Sequence, residues 1–209
     1  MLYILPMKNK LIILSIATLF FSSCNKEIVK QESTIAAKKE NTENGTSSYI
    51  KYTILKGGQY CDKSIFVPIK SNHLSFKVKF DSSAIYKTAA ENNQSDINKL
   101  FGFSDNNATH HEYSARFGWR WSNNALRIFA YVYNNSVMSF KELGIVEIDT
   151  ENSCSIKVSG NKYIFILNGT ETTMPRASTT TEAEGYKLFP YFGGDESAPH
   201  TISIWIREF

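Results

Sequence analysis

Apolar and polar side chains alternate with a period of two over most of residues 49–209, a pattern typical of β-strands that bury one face. Residues 74–80 carry Leu, Phe, Val and Phe at every second position. Residues 202–206 repeat the pattern with three isoleucines. Each segment therefore predicts a strand with one core face and one solvent face.

Turn and helix signals complete this picture. Residues 154–158 and 162–167 form a predicted strand pair, followed by Asn168-Gly169, a dipeptide favoured in tight hairpins. The one helical candidate is short and lies around residues 83–90. Many strands with so little helix predict an all-β domain of two packed antiparallel sheets.

The N-terminus has the composition of a targeting segment. Two lysines precede an apolar run over residues 11–21, and two serines lead into Cys24, which predicts a signal peptide over residues 1–23. The run is shorter than the roughly 20 apolar residues of a membrane-spanning helix. The tetrapeptide Phe-Ser-Ser-Cys that ends at Cys24 resembles the lipobox of bacterial lipoproteins. This resemblance implies that Cys24 is lipidated and anchors the protein in the cell envelope, at the outer membrane. The alternative is an ordinary secretory signal that ends near a cysteine.

Composition divides the remainder of the chain. Residues 24–48 are rich in Lys, Glu, Asn, Ser and Thr and lack aromatic residues, which predicts a flexible tether. Residues 49–209 have the length of one ordinary domain. The full chain has 23 Lys and Arg against 20 Asp and Glu, and loss of residues 1–23 with their two lysines leaves a net charge of +1. A nearly neutral protein is not expected to bind nucleic acid, which requires a basic surface.

Two cysteines, Cys61 and Cys154, lie in the predicted domain. An oxidising compartment permits a disulfide between them. Cys154 also belongs to an apolar alternation, so a buried free thiol is an equal alternative. Sequence spacing does not decide between the two states.

Three predicted strands, over residues 114–121, 125–134 and 185–192, carry aromatic or basic residues on the face that should be polar. Sugar rings stack on aromatic faces, and fixed cationic donors bind hydroxyl and carboxylate groups. A sheet with this face could bind a polysaccharide or glycoconjugate. The alternative is that the aromatic residues are core and that loops such as 92–113 cover this face. The predicted ligand-binding residues are Arg116, Arg120, Arg127, Tyr131, Tyr133, Lys187 and Tyr191.

Three segments together support a family resemblance. The sequences FGWRW at 117–121, LRIFAYVY at 126–133 and GYKLFPYFGGDESAPHTISIWI at 185–206 are similar to the jelly-roll domains of the concanavalin A-like lectin and glucanase superfamily. The resemblance implies a jelly-roll β-sandwich and a function in glycan handling. Members include lectins, carbohydrate-binding modules, glycoside hydrolases and polysaccharide lyases.

The residues do not favour a glycoside hydrolase. Retaining glucanases of this fold need two carboxylates about 5 Å apart across the scissile bond. Glu142, Glu147, Asp149 and Glu151 stand at the wrong spacings or beside turns. If the protein is an enzyme, a hydrolase is therefore the weaker expectation.

A polysaccharide lyase needs no carboxylate pair, because a Tyr or His base and a cation suffice for β-elimination from a uronate. The segment from Tyr186 to Tyr191 is similar to the C-terminal Tyr-x-Lys-x-x-x-Tyr strand of alginate-type lyases, with its lysine one position early and without their Gln-x-His strand. Under this alternative the candidate catalytic residues are Tyr191, His111, Lys187 and Arg120. A third alternative is a structural or adhesive surface protein that contacts another protein.

No cofactor motif is present in the sequence. A structural Ca²⁺ is chemically feasible at Gly193-Gly194-Asp195-Glu196 or at residues 105–107, where oxygen ligands cluster in turns. Neither spacing is specific for a metal, and both segments are typical of turn formers.

Overall fold

The structure is a computed structural model that describes residues 48–209. The predicted signal peptide, Cys24 and the predicted tether up to residue 47 lie outside the described residues. Within residues 48–209, no helix is both long and apolar enough to cross a membrane.

The described chain folds into two six-stranded antiparallel sheets. The first sheet has the order β1-β12-β3-β8-β9-β10 and the second the order β2-β11-β4-β5-β6-β7. Two short 3₁₀ segments are present, Ser82–Ala84 and Glu91–Ser95. Of the helix predicted around residues 83–90, only its first two residues are helical. The strands are β1 Ile50–Ile54, β2 Pro68–Ser71, β3 His73–Phe80, β4 Asn98–Ser104, β5 Ser114–Ser122, β6 Ala125–Asn134, β7 Val137–Val146, β8 Asn152–Ser159, β9 Lys162–Leu167, β10 Thr170–Pro175, β11 Ala183–Leu188 and β12 Ile202–Glu208.

The core lies between the sheets and is centred on aromatic rings. Phe76 of the first sheet packs edge-on against Phe101 and Phe117 of the second, with ring centroids 5.2 and 5.5 Å apart. Phe117 in turn contacts Phe165 at 5.2 Å. Phe76, Phe117 and Phe165 occupy inward positions of strands that period-two alternation predicts, so in these strands the same pattern also selects the core residues.

Two tight turns set the register of strands β5, β6 and β7. Asn123-Asn124 joins β5 to β6 and Asn135-Ser136 joins β6 to β7, and all four residues have positive φ. Positive φ at both central residues is the conformation of a type I′ turn, whose twist matches that of the flanking strands. A two-residue turn allows one register, so it decides which side chains stand opposite one another across the strands.

A buried ion pair joins the end of β4 to the segment after β10. Arg176 Nε donates to Asp105 Oδ2 at 2.7 Å, and both side chains are inaccessible to solvent. Tyr163 donates a further hydrogen bond to this carboxylate at 2.6 Å. Burial raises the pKa of Asp105, but the hydrogen bonds from Arg176 and Tyr163 outweigh it and lower the pKa overall. Because this carboxylate is engaged by Arg176, the segment 105–107 considered for Ca²⁺ does not offer it to a metal.

Both cysteines of the described domain, Cys61 and Cys154, are buried free thiols and do not form a disulfide. The structure thus decides between the two states that the sequence left open. Burial raises the pKa of Cys154 beyond the range of an ordinary thiol, so this side chain behaves as a small apolar core residue.

Two expectations about strand boundaries are wrong. The segment 92–113 is not one long loop, because β4 lies within it with both faces covered. The strand expected over 185–192 ends at Leu188. Phe189 and Phe192 both pack into the core, while Pro190 has no N–H to continue a ladder.

Candidate functional site

A groove of about 470 Å³ lies on the solvent-facing side of the second sheet. Strands β4, β5 and β6 supply its floor, and the loop 55–67 forms one wall. No aspartate or glutamate of the described residues lines it. Its polar and aromatic lining residues are Tyr60, Ser64, Phe66, Lys99, His110, His111, Arg116, Tyr131, Tyr133, Tyr186, Lys187, Phe189 and Tyr191.

Arg116 lies at the centre of the groove floor and is only 7% exposed. Its guanidinium stacks on the ring of Tyr131, 5.3 Å from the centroid. Within residues 48–209 it forms no ion pair, and its buried Nε has no hydrogen-bond partner. Burial lowers its pKa to about 10, so the side chain is still a cation at neutral pH. A buried charge without a partner is costly, and an arginine presents donors suited to a carboxylate or sulfate.

A glycine in the neighbouring strand makes room for this arginine. Gly102 of β4 stands opposite Arg116, next to a register shift between Lys99 and Gly102. A Cβ atom at position 102 would lie 2.4 Å from both Cα and Cβ of Arg116. Only glycine therefore fits here without a backbone shift.

Lys99 adds a second cation to the groove. Its ammonium donates to the Gly193 carbonyl at 2.8 Å and lies 5.2 and 5.9 Å from the ring centroids of Tyr131 and Tyr191. Burial, and after it the charge of Arg116, lower its pKa to about 8. Near neutral pH both cations are charged, so the groove has a positive potential.

Aromatic side chains from the loop 55–67 stand over the groove tyrosines. Tyr60 packs edge-on against Tyr191 with centroids 4.9 Å apart, and Phe66 packs against Tyr186 at 5.5 Å. The two loop residues are 71% and 74% exposed. Large aromatic side chains left this exposed beside a groove are typical of ligand contacts.

Two histidines line the groove near Tyr186. His110 Nδ1 and the Tyr186 hydroxyl share a hydrogen bond of 2.9 Å, and the His110 and His111 rings lie 4.2 Å apart. Burial, then the charges of Arg116 and His111, lower the pKa of His110 to about 4. The His110 imidazole is therefore neutral at physiological pH and could accept a proton.

Besides Lys187, the structure brings five of the predicted site residues together in the groove: Arg116, Tyr131, Tyr133, Tyr191 and His111. Phe129, Tyr131 and Tyr133 form a cluster separate from the main core, as the alternation of β6 predicts. Burial raises the pKa of Tyr131 and of Tyr191, so both phenols are protonated at neutral pH.

Three other predicted residues have different surroundings. Arg120 packs over the Phe129 ring and donates to the Ser95 carbonyl at 2.5 Å, and Arg127 pairs with Glu142 at 2.7 Å, so neither lines the groove. Lys187 borders the groove, but its ammonium pairs with Glu208 of the first sheet. Alternation over residues 185–192 predicted Lys187 and Tyr191 on one face of a single strand. Because β11 ends at Leu188, the alternation does not continue to Tyr191.

Several residues that line the groove were not predicted from the sequence. They are Tyr60, Phe66, Lys99, His110 and Tyr186. Lys99 and Gly102 lie in β4, whose buried faces on both sides remove the alternation that would have revealed a strand. The loop residues offer only a weak signal, since Tyr60 follows Gln59 and Phe66 stands between Ile65 and Val67 in a segment without periodicity.

The described residues do not favour a metal site. Within 48–209 no three His, Cys, Asp or Glu side chains are placed to share an ion. In the segment 193–196 considered for Ca²⁺, Glu196 instead accepts hydrogen bonds from the backbone amides of Ala89 and Ala90 at 2.8 Å. That carboxylate ties two loops together.

Comparison with known proteins identifies structural relatives only. No family model and no curated protein sequence matches the chain. The alginate lyase AlyC3 is similar in structure, with a TM-score of 0.55, 11% identity, and coverage of 77% of this chain and 74% of that one. A glycoside hydrolase family 16 endo-glucanase from Bacteroides ovatus has a TM-score of 0.51 and 9% identity over 80% of this chain and 83% of that one. The laminarinase catalytic domain of Thermotoga maritima has a TM-score of 0.50 and 8% identity over 79% of this chain and 80% of that one.

These likenesses show the fold. The domain is a jelly-roll sandwich of two antiparallel sheets, which confirms the predicted fold class. At such low identity, function has to be argued from the groove itself.

Proposed function

We propose that the groove binds an acidic polysaccharide or glycoconjugate. The observation that carries this proposal is Arg116, a buried cation that faces the groove without an anionic partner. A bound carboxylate or sulfate would supply that partner, and Lys99 would add a second positive charge.

The walls of the groove fit a sugar chain. Tyr133 and Tyr191 are partly exposed and offer ring surface and hydroxyls, whereas Tyr131 is buried and stacks against Arg116. Tyr60 and Phe66 add exposed rings from the loop. Pyranose rings stack on such faces, while hydroxyls bond to phenols and to the cationic side chains. The proposal also draws on the fold, because the structurally similar proteins include an alginate lyase and two glucanases.

Affinity electrophoresis of the purified protein in gels with neutral or acidic polysaccharides tests the proposal. We expect retention by a uronate-containing or sulfated polymer, weakened by salt, and no retention by neutral glucans. Retention by neutral glucans alone would contradict the role of Arg116. A protein partner captured from envelope extracts and unaffected by acidic glycans would favour a structural or adhesive function instead.

A polysaccharide lyase is the second candidate, favoured by a neutral imidazole and a tyrosine beside a buried cation. In β-elimination a base removes the proton on the carbon next to the uronate carboxylate. The glycosidic C–O bond then breaks, and the departing oxygen takes a proton. Arg116 and Lys99 would neutralise the carboxylate, and His110 or Tyr191 would transfer the protons. Arg120 and Lys187, engaged elsewhere, are not needed for this arrangement.

The lyase alternative has its own measurement. Incubation with a panel of polyuronates should raise the ultraviolet absorbance of the unsaturated product, and His110→Ala should abolish that rise without abolishing retention in the gel. Retention without absorbance growth across the panel would exclude the lyase and leave the binding function.

We also propose that lipid on Cys24 holds the domain at the bacterial outer membrane. The support is the resemblance of residues 21–24 to a lipobox. Labelled fatty acid should be incorporated into the protein, and Cys24→Ala should abolish the label and release the protein from the membrane fraction. An unlabelled wild-type protein would contradict the anchor.

A further inference from the structure

Arg116 belongs to a row of side chains that crosses the second sheet at right angles to its strands. Arg116 of β5 stands opposite Tyr131 of β6, and Tyr131 stands opposite Phe140 of β7. Opposed residues in adjacent strands point to the same face of a sheet. Phe140 therefore lies on the same face as the groove, beyond Tyr131.

Phe140 is unusually exposed for a phenylalanine in a strand. It is 50% exposed, and its ring packs edge-on against Phe129 with centroids 6.1 Å apart. Met138, which stands opposite Tyr133, is also exposed on this face. The two residues form an apolar ledge, defined here as Met138 and Phe140, that continues the groove floor to the edge of the sheet.

We propose that Phe140 is a stacking platform for a sugar ring of the same glycan whose acidic group binds Arg116. This inference rests on the proposed function and adds a second subsite to it. We assign the same glycan to the ledge because the ledge is continuous with the groove. Tyr131 stands between Arg116 and Phe140 in the row, and no other side chain separates them. The ring of Phe140 is supported by Phe129 on its edge, which leaves ring surface free for the C–H face of a pyranose.

Strand spacing separates the two subsites. Arg116 and Phe140 are two strands apart, about 10 Å at the usual spacing of adjacent strands. One sugar cannot bridge that distance, but a short oligosaccharide laid across the strands can. Phe140 should therefore contribute to the binding of longer oligosaccharides and not to the binding of the shortest.

Calorimetric titration of the purified protein with a uronide disaccharide, tetrasaccharide and hexasaccharide tests the length dependence. Phe140→Ala should lower the affinity for the tetrasaccharide and the hexasaccharide about three- to tenfold, which is the size of an aromatic contact. The affinity for the disaccharide should not change. Phe140→Trp should retain the wild-type affinities. The matched control is Val137→Ala, an exposed apolar residue of the same strand on the opposite face, which should change none of them.

The outcomes separate this inference from the function on which it rests. Binding of all three oligosaccharides with an equal effect of Phe140→Ala on each, or with none, would overturn the platform and leave the proposed function intact. If none of the three oligosaccharides binds, both the platform and the proposed function are overturned. A loss confined to the longer oligosaccharides, restored by Phe140→Trp, supports the platform.

Discussion

Arg116 should weaken the fold and provide affinity for the ligand, so its replacement is expected to change stability and binding in opposite directions. Arg116→Met keeps much of the aliphatic length and removes the charge. In the wild-type protein Arg116 is buried, and the stacking contact of its guanidinium with Tyr131 offsets only part of the desolvation cost. Removal of an uncompensated buried charge should therefore raise the free energy of unfolding by about 1–3 kcal/mol.

The effect on binding is larger and has the opposite sign. A buried cation paired with a ligand carboxylate typically contributes about 2–4 kcal/mol when its loss is measured, which corresponds to roughly 30- to 1000-fold in affinity. Arg116→Lys keeps the charge but loses the two-pronged donor geometry, so it should fall between the wild type and Arg116→Met.

Denaturant unfolding and calorimetric titration with an acidic oligosaccharide measure the two quantities on the same samples. Arg127→Met is the matched control, because Arg127 pairs with Glu142 outside the groove. The control should change stability by less than about 1 kcal/mol and leave affinity unaltered. A destabilised Arg116→Met variant with unchanged affinity would instead make Arg116 a structural residue and contradict its role in binding.

Two further predictions concern charge. Asp105→Asn should lower the free energy of unfolding by about 3–5 kcal/mol at neutral pH, because it leaves Arg176 buried and unpaired, whereas Asp62→Asn, which breaks a surface pair, should cost about 1 kcal/mol or less. The folded state lowers the pKa of Asp105, so its contribution to the free energy of unfolding is present above the unfolded pKa near 3.9 and is lost as the pH falls through the folded pKa. Denaturant unfolding at acid pH measures this loss, and an equal loss of stability in the wild type and in Asp105→Asn would contradict it. Lys99 is charged below its pKa of about 8, so affinity for an acidic oligosaccharide should be constant near neutrality and decrease above about pH 8, by up to tenfold per pH unit. Titrations across this range should show a flat profile for Lys99→Met, and an equal pH dependence in that variant would exclude Lys99 as the titrating group.

Much of the fold is encoded in local sequence. The alternation in β3, β6 and β12 predicts both strands and inward faces, because a residue two positions along a strand must return to the same side. Even the row from Arg116 to Phe140 could be counted from the sequence, since the tight turns at 123–124 and 135–136 fix the register of β5, β6 and β7.

The segment from Tyr186 to Tyr191 shows where local pattern fails. Period two places these tyrosines on opposite faces, yet both line the groove because β11 ends at Leu188 and the chain changes phase through Pro190. Strand β4, which contains Lys99, likewise shows no period-two pattern in the sequence, because both of its faces are covered. Alternation of apolar and polar residues arises only where one face of a strand is in water.

By itself, the sequence determined the all-β fold, the strand faces and the placement of Arg116 and Tyr131 on one face, since these depend on the period of the backbone. Only the tertiary structure decided which cations are free to bind a ligand. Arg127 and Lys187 are neutralised by Glu142 and Glu208, residues brought near by strand pairing and sheet packing. Among residues 48–209, Arg116 meets no such carboxylate. Whether a charge has a partner depends on distances between residues far apart in the chain, and no local pattern contains those distances.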